Sequence, residues 1–409
     1  MRQGTRFAVG AAVISLILVS YPLALWYRGY RTRLYYDKLV SQGCRIETKC
    51  RCSRWWPDWV NKHISNPKLR DALQWPFLDV AYVYANEKDI RWLPLILGDS
   101  RIREVFLKNC EIRKGDLLPL NTLPRLDGIS FVGSKISDEA LLEISGCSQL
   151  TRVNLEDTKI TSKGIQVVRN WPKLRRINLQ GARLDEAGVA AFEATPLLGQ
   201  LDLSYAKINA ENLSGLRKLS SLKWLDLSGN PRLGGKCLED IGHCKNLLYL
   251  NLPASRITDG DLEPLRSLEN LGELHVNSLG LTGRGYAALG KLPELKELFI
   301  GQISDVAAEQ ISRIHWLKTL EVSDASALTD AGLRHLAGLK NLERLTLRKI
   351  KFSDQAWNQL RADLAPLVDS DCHTWGKVGR TLKDPKTDCH YPEMFASDSE
   401  PDAIFRRFP

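Results

Sequence analysis

Apolar residues follow one short pattern, Leu-x-x-Leu-x-Leu, through most of the chain. Eleven copies occur between residues 102 and 347, and most of the intervals between them are 24 residues. The first apolar residues of the copies are Ile102, Leu126, Leu150, Leu174, Leu198, Leu222, Leu247, Leu271, Leu295, Leu317 and Leu342. A fixed period of this length predicts a solenoid, in which each unit buries its apolar face only against its neighbours.

Within one unit the apolar spacing changes along the chain. Val153 and Leu155 are two residues apart, which places them on one face of a short strand, and Arg152 faces the other way. After a turn, segments such as 188–192 (Gly-Val-x-x-Phe) adopt helical spacing. The sequence therefore predicts an α/β solenoid, shaped like a horseshoe, with a parallel sheet on its concave side and helices on its convex side.

Three units contain closely related sequences after the turn: Ile136-Ser-Asp138, Ile257-Thr-Asp259 and Leu328-Thr-Asp330-Ala-Gly332-Leu333. With these motifs the chain resembles the leucine-rich repeat family over about two thirds of its length. The motifs are similar to the Ile-Thr-Asp-x-Gly-Leu units of F-box-type repeats and of bacterial membrane-anchored repeat proteins. The resemblance implies a leucine-rich repeat solenoid that binds a partner, and it does not identify that partner.

The position after each strand departs from the family pattern. The ladder-forming asparagine of the family occurs only as Asn230, and other units have residues such as Ser134, Thr158 and Ala182. The departure implies an incomplete ladder of buried side-chain hydrogen bonds, with apolar packing holding the turns. Units nine and ten, near residues 303 and 325, are irregular, so the curvature is expected to change there.

Residues 7–27 form an uncharged apolar run. As a helix these 21 residues reach about 31 Å, which matches the hydrocarbon core of a membrane. Arg2 and Arg6 precede the run, and aromatic and basic residues follow it, as at a membrane interface. The alternatives are a cleaved signal peptide and a soluble apolar helix. A retained single-pass anchor with an exported repeat domain is the favoured hypothesis, although the flanking charges alone slightly favour the opposite orientation.

The net charge of +9 is not spread evenly. Residues 1–27 contribute +2, residues 28–100 contribute +5 and residues 101–409 contribute +2. The basic excess therefore lies beside the apolar run, where anionic lipid headgroups explain it better than a phosphate backbone does. The nearly neutral repeats argue against nucleic-acid binding.

The nine cysteines are concentrated at the ends of the repeat region. Five of them flank it: Cys44, Cys50 and Cys52 before it, and Cys372 and Cys389 after it. Disulfides that staple the open ends of a solenoid would use such positions. Zinc binding by the Cys-His pairs at 372–373 and 389–390 is the alternative, but the usual ligand spacing is absent.

The sequence contains no catalytic pattern. The seven histidines have no metal-ligand spacing, the serines lack a nucleophile elbow, and the glycines of 280–290 fit neither phosphate-loop motif. We therefore expect a non-enzymatic protein with no catalytic residues, no metal, no cofactor and no small-molecule substrate.

A binding surface is predicted from the outward residues of the strands. Four successive strands carry a ring at such a position: Trp224, Tyr249, His275 and Phe299. Exposed aromatic residues supply much of the binding energy at interfaces, so an oblique line of rings on the concave face is the candidate site. Its predicted polar neighbours are Asp202, Asp226 and Glu273. Two alternatives stay open, because the rings could pack locally and the polar residues could form an ordinary solvated sheet face.

Aromatic and apolar residues at both ends predict caps over the open solenoid. The predicted order is a basic amino terminus (1–6), a transmembrane helix (7–27), a juxtamembrane basic segment with an aromatic-rich cap (28–100), eleven repeats (101–353), a carboxyl-terminal cap (354–376) and a polar tail (377–409). The expected function is recognition of a protein or an extended polymer at the membrane. The alternatives are an adaptor for a modification complex and a structural envelope protein.

Overall fold

A computed structural model describes residues 34–35, 37–41, 44–50, 78–86, 90, 92–208, 213–252, 257–277, 280–364 and 379–382. The chain divides into two compact units, Met1–Asn154 and Leu155–Pro409. No helix in the described part is long and apolar enough to cross a membrane. The predicted transmembrane helix at 7–27 lies outside the described residues.

The first unit contains five described strands: β1 (Arg45–Cys50), β2 (Leu78–Asn86), β3 (Ile102–Lys108), β4 (Gly128–Ser130) and β5 (Arg152–Asn154). β1 is antiparallel to β2, and β2 through β5 are parallel. The intervening helices are three 3-10 turns, Leu93–Ile96, Leu118–Thr122 and Glu143–Gly146, and one α-helix, Asp138–Leu142. Residues 34–35 and 37–41 are also helical.

Aromatic side chains pack at the amino-terminal end of the first unit. Trp92 is buried, and the ring of Tyr84 on β2 stacks on Phe106 of β3 with 4.5 Å between centroids. The hydroxyl of Tyr35 donates to the carbonyl of Leu95. Strands β1 and β2 were not predicted, and the aromatic-rich cap stays a prediction. The remaining aromatic residues of the predicted cap, between 55 and 77, lie outside the described residues.

The cysteine prediction falls mostly outside the described side chains. Cys44 is buried. Cys52, Cys372 and Cys389 lie outside the described residues, and only the backbone of Cys50 is described. Disulfide and zinc binding at these positions both stay predictions.

The second unit continues the sheet pattern with nine strands: β6 (Arg176–Asn178), β7 (Gln200–Asp202), β8 (Trp224–Asp226), β9 (Tyr249–Leu252), β10 (Glu273–Val276), β11 (Glu297–Ser304), β12 (Thr319–Ala327), β13 (Arg344–Arg348) and β14 (Gly379–Leu382). β6 through β13 are parallel. β14 is antiparallel to β13, so the predicted polar tail at 377–409 contains a strand.

A short helix follows most strands of the second unit. The α-helices are Ser162–Ile165, Glu186–Ala190, Lys236–Ile241, Asp305–Ile311, Asp330–Leu336 and Asp354–Leu364. The 3-10 helices are Gln166–Asn170, Ala191–Ala194, Ser214–Leu216, Asp259–Ser267 and Arg284–Lys291. The predicted helical segments are therefore present, many of them in the tighter 3-10 form. Trp357, Leu360 and Leu364 are buried, as a closing helix requires.

The core of the second unit lies between strands and helices. The central residue of each strand, such as Leu201, Leu225 and Leu250, is fully buried because it points towards the helices. Units nine and ten are irregular as predicted, since β11 and β12 are the longest parallel strands of the unit and their pairing shifts between Gln302 and Ser304.

The side-chain ladder after the strands is incomplete. The Nδ2 of Asn230 donates to the carbonyls of Leu203 and Leu227, and its Oδ1 accepts from the backbone N–H of Ile208. At the equivalent position Ala206 is fully buried and contributes apolar contact instead. The turns are therefore held by a mixture of hydrogen bonds and packing.

A second ladder joins the amino ends of successive helices. The carboxylate of Asp305 accepts from the backbone N–H (2.8 Å) and the hydroxyl (2.6 Å) of Thr329, one unit later. Asp330 accepts the same pair of bonds from Ser353, both at 2.7 Å. Asp259 receives them from Thr282. We call these contacts the Thr–Asp ladder.

The Thr–Asp ladder explains the glycine of the Thr-Asp-x-Gly motif. A Cβ on Gly332 would collide with the carboxylate of Asp305, the acceptor supplied by the preceding unit. Asp305 needs this space to reach Thr329. Thr329 and Gly332 thus supply the donor and the open space for the contact with the preceding unit, and Asp330 supplies the acceptor for the contact with the next unit.

Candidate functional site

Two columns of outward side chains cross the sheet of the second unit. Strand alternation places residues two apart on the same face, and parallel register aligns them between strands. The first column contains Gln200, Trp224, Tyr249, Glu273 and Glu297. The second contains Asp202, Asp226, Asn251, His275 and Phe299. We call these ten residues the strand face.

The four predicted rings form a continuous stack across the strand face. Trp224 stacks on Tyr249 with 4.8 Å between centroids and 5° between planes. His275 stacks on Phe299 at 4.1 Å and 5°. Tyr249 and His275 belong to different columns, so their rings meet diagonally, at 5.3 Å and 48°. These four residues, the aromatic line, therefore lie together as the sequence predicted.

The aromatic line is less exposed than the sequence suggested. Trp224 is 7% exposed and His275 is 6% exposed, while Tyr249 and Phe299 are half-buried. The reason is that neighbouring strands lie about 4.8 Å apart, close to the stacking distance of rings, so each ring covers a face of the next. Local packing, one of the two alternatives, thus occurs within the candidate surface. The face of each stacked ring that meets its partner is unavailable to a ligand.

Two carboxylates meet beside one end of the aromatic line. Asp202 of β7 lies opposite Asp226 of β8, and their Oδ1 atoms accept the backbone N–H groups of Ser204 and Ser228, each at 2.8 Å. Asp202 is 4% exposed. Burial raises the pKa of Asp202 to about 6, and the charge of Asp226 adds to this rise, against the hydrogen bond from Ser204.

Two further carboxylates lie on the other side of the line. Glu273 of β10 and Glu297 of β11 are aligned in the first column. On these two strands the aromatic line occupies the second column, at His275 and Phe299. The Oε1 of Glu273 is 2.7 Å from the Nε2 of His275. The aromatic line is therefore flanked by Asp202 and Asp226 on one side, and by Glu273 and Glu297 on the other. These two pairs are the acidic flanks.

The sequence analysis missed two polar residues of the strand face. The Nδ2 of Asn251 donates to the Oδ2 of Asp226 at 2.9 Å. Gln200, aligned with Trp224, is 3% exposed, and its Nε2 is buried with no hydrogen-bond partner among the described residues. Alternation does place both at outward strand positions. The predicted site was limited to rings and carboxylates, so it left them out.

The described residues contain no group of three or more histidine, cysteine or acidic side chains that could hold a metal ion. At the strand face Asp202 lies beside Asp226, and Glu273 contacts His275. The arrangement offers apolar ring surface, negative charge and one buried donor for non-covalent binding.

Residues 172–231 match the family described as leucine rich repeat. This span includes β6, β7 and β8, so Asp202, Trp224 and Asp226 lie in the part of the chain that matches this family. A search of curated protein sequences gave no significant match.

The chain is similar to several solved structures. An internalin (InlF) of Listeria monocytogenes is similar with a TM-score of 0.54 at 20% identity, covering 73% of this chain and 87% of that protein. A second internalin of that organism, C2, gives 0.38 at 22% identity over 59% of this chain and 84% of its own. The Toll–Spätzle complex of Drosophila gives 0.44 at 16% identity, over 71% and 46%. The first likeness shows a leucine-rich repeat fold of parallel strands and short helices.

Proposed function

We propose that this chain is a membrane-anchored, non-enzymatic leucine-rich repeat protein that recognises a protein partner through the aromatic line. The observation that carries the proposal is the stack of four rings on four adjacent strands. Tryptophan and tyrosine are the residues most enriched among those that dominate binding energy at protein interfaces. On a sheet they are already ordered, so a partner binds without the entropy cost of fixing them.

The geometry favours a protein over other ligands. Stacking of nucleic-acid bases and binding of quaternary ammonium groups both require open ring faces. In the aromatic line one face of each stacked ring is covered by its neighbour, which reduces the open ring surface. The acidic flanks also repel phosphate. Apolar side chains of a protein partner are suited to packing against the ring surface that remains.

The membrane anchor, the exported orientation and the F-box-type character of the repeats are further parts of the proposal. They rest on the uncharged run at 7–27, on its basic flanks and on the Thr-Asp-x-Gly motifs. Protease treatment of intact cells tests the orientation. An exported repeat domain is degraded without lysis, whereas a domain on the cytoplasmic side survives until the membrane is opened.

A photo-crosslinking experiment tests recognition by the aromatic line. A p-benzoylphenylalanine is placed at Phe299 in the full-length chain in native membranes, and in a separate protein at Val306, which is exposed on a helix. Trp224→Ala/Tyr249→Ala is then combined with the Phe299 probe. We expect specific protein crosslinks from position 299, with about 100-fold weaker binding in the double variant.

Two results would contradict the proposal. One is an identical set of crosslinked proteins from positions 299 and 306. The other is undiminished crosslinking in the Trp224→Ala/Tyr249→Ala background while circular dichroism shows a native fold.

A further inference from the structure

Two carboxylates of the strand face lie side by side on adjacent strands. The charges that act on Asp202 are those of Asp226 and Glu156, and both are negative. Asp202 and Asp226 lie directly opposite each other on parallel strands, an arrangement in which like charges destabilise a sheet. The protein thus places a buried carboxylate, Asp202, beside a half-buried one, Asp226, at one end of the aromatic line.

The acidic flanks have a defined geometry relative to the rings. On β8 and β9 the aromatic line occupies the first column, and on β10 and β11 it occupies the second. Asp202 and Asp226 therefore lie on one side of the line, and Glu273 and Glu297 lie on the other. A ligand that follows the line therefore meets carboxylates on both sides.

Gln200 supplies an observation independent of the acidic residues. Its side chain is 3% exposed and its buried Nε2 has no partner among the described residues. A buried amide N–H without an acceptor is costly, and a ligand that brings a carbonyl removes that cost. Gln200 is aligned with Trp224 and lies two residues before Asp202, so the donor is at the end of both the line and one flank.

We propose that the partner of the strand face is an extended, basic protein segment with apolar residues between its arginines or lysines. Its apolar side chains pack on the edges of the aromatic line, its cations pair with the acidic flanks, and a backbone carbonyl accepts from Gln200. From β7 to β11 the patch spans four strand spacings, or about 19 Å, which corresponds to about six residues of extended chain. This inference rests on the function proposed above.

Selection from a random peptide library tests the charge of the partner. Phage-displayed peptides of about twelve residues, twice the length that spans the patch, are selected on the full-length chain in nanodiscs. A parallel selection on the Trp224→Ala/Tyr249→Ala variant identifies the peptides that bind without the aromatic line. Peptides that require the aromatic line should be rich in arginine and lysine and poor in aspartate and glutamate.

The outcomes separate the two proposals. Neutral or acidic peptides that still require the aromatic line would overturn the basic partner and leave the recognition function intact. Peptides that bind wild type and double variant equally would contradict the recognition function itself.

An enriched peptide then tests the flanks directly. Asp202→Asn/Asp226→Asn should weaken its binding at least about tenfold and should reduce the salt dependence of the affinity. Glu309→Gln, which neutralises a helix-side carboxylate paired with Arg313, is the matched control and should bind normally. Unchanged affinity and salt dependence in Asp202→Asn/Asp226→Asn would show that the flanks do not bind cations.

Discussion

The second unit contains two sets of carboxylates in opposite environments. In the Thr–Asp ladder, the backbone N–H and hydroxyl of Ser353 lower the pKa of Asp330. On the strand face, burial raises the pKa of Asp202. The first set accepts hydrogen bonds from the next unit and stabilises the stack of units, whereas the second costs stability and is arranged around an aromatic surface. The same repeat therefore places its unit-to-unit contacts on the helix side, apart from the strand face that we propose for recognition.

The largest effect is expected from Asp202→Asn, which should stabilise the protein at neutral pH. The folded pKa of about 6 lies above the ordinary value of 3.8, so between these values the folded state keeps a proton that the unfolded state has lost. The free energy of unfolding therefore falls as pH rises through this window. Asparagine has no such dependence, and it can still accept from Ser204.

Urea denaturation of the full-length chain at several pH values measures this effect. The gain in Asp202→Asn should be near zero at about pH 4 and at most about 3 kcal/mol above about pH 7. The charged groups that act on Asp202 are Asp226 and Glu156, so both are left in place. A difference that is the same at every pH would show that the Asp202 carboxyl is not destabilising.

Breaking the Thr–Asp ladder should have the opposite sign. Asp305→Ala removes the acceptor of two hydrogen bonds from Thr329 and should lower the free energy of unfolding by about 1–2 kcal/mol. Glu309→Ala, on the same helix, removes only an exposed ion pair with Arg313 and should cost less than about 0.5 kcal/mol. Equal losses in the two variants would mean that the ladder contributes nothing beyond surface charge.

A double-mutant cycle tests the glycine of the motif. Gly332→Ala should destabilise the wild type, because its Cβ meets the Asp305 carboxylate. In an Asp305→Ala background that contact is gone, so the same substitution should cost about 1 kcal/mol less. Additive losses would assign the glycine a different role, such as space for the side chain of Leu328.

The smallest effect is expected at Asp330, which is half-buried. Its lowered pKa means that its contribution to stability is present above the unfolded value and is lost as pH falls through the folded value. Between neutral and acidic pH, the free energy of unfolding should therefore fall slightly less for Asp330→Asn than for the wild type. Parallel pH profiles of the two proteins below about pH 4 would contradict this assignment.

Much of the fold was predictable because it depends on spacing. The 24-residue period predicted strands, their order and the adjacency of Trp224, Tyr249, His275 and Phe299, since parallel register follows from equal repeats. The burial of Trp224 was not predictable. It depends on ring packing between strands, which alternation within one strand does not describe.

The remaining misses have similar causes. β2 lacks the Leu-x-x-Leu pattern, so only its aromatic residues indicated a cap. The carboxylates Asp202 and Asp226 were predicted as neighbours of the rings, but their like-charge pairing requires knowledge of register. Gln200 has no sequence feature that distinguishes a buried unpaired amide from a solvated one.

The Thr–Asp ladder also has a direction. Each acceptor, such as Asp305, pairs with a donor that lies about 24 residues later in the chain. During synthesis, which begins at the amino end, the units that carry Thr282, Thr329 and Ser353 each complete a contact left open by the unit made before them. A chain that ends between Asp330 and Ser353 therefore carries an unfilled acceptor in its last complete unit.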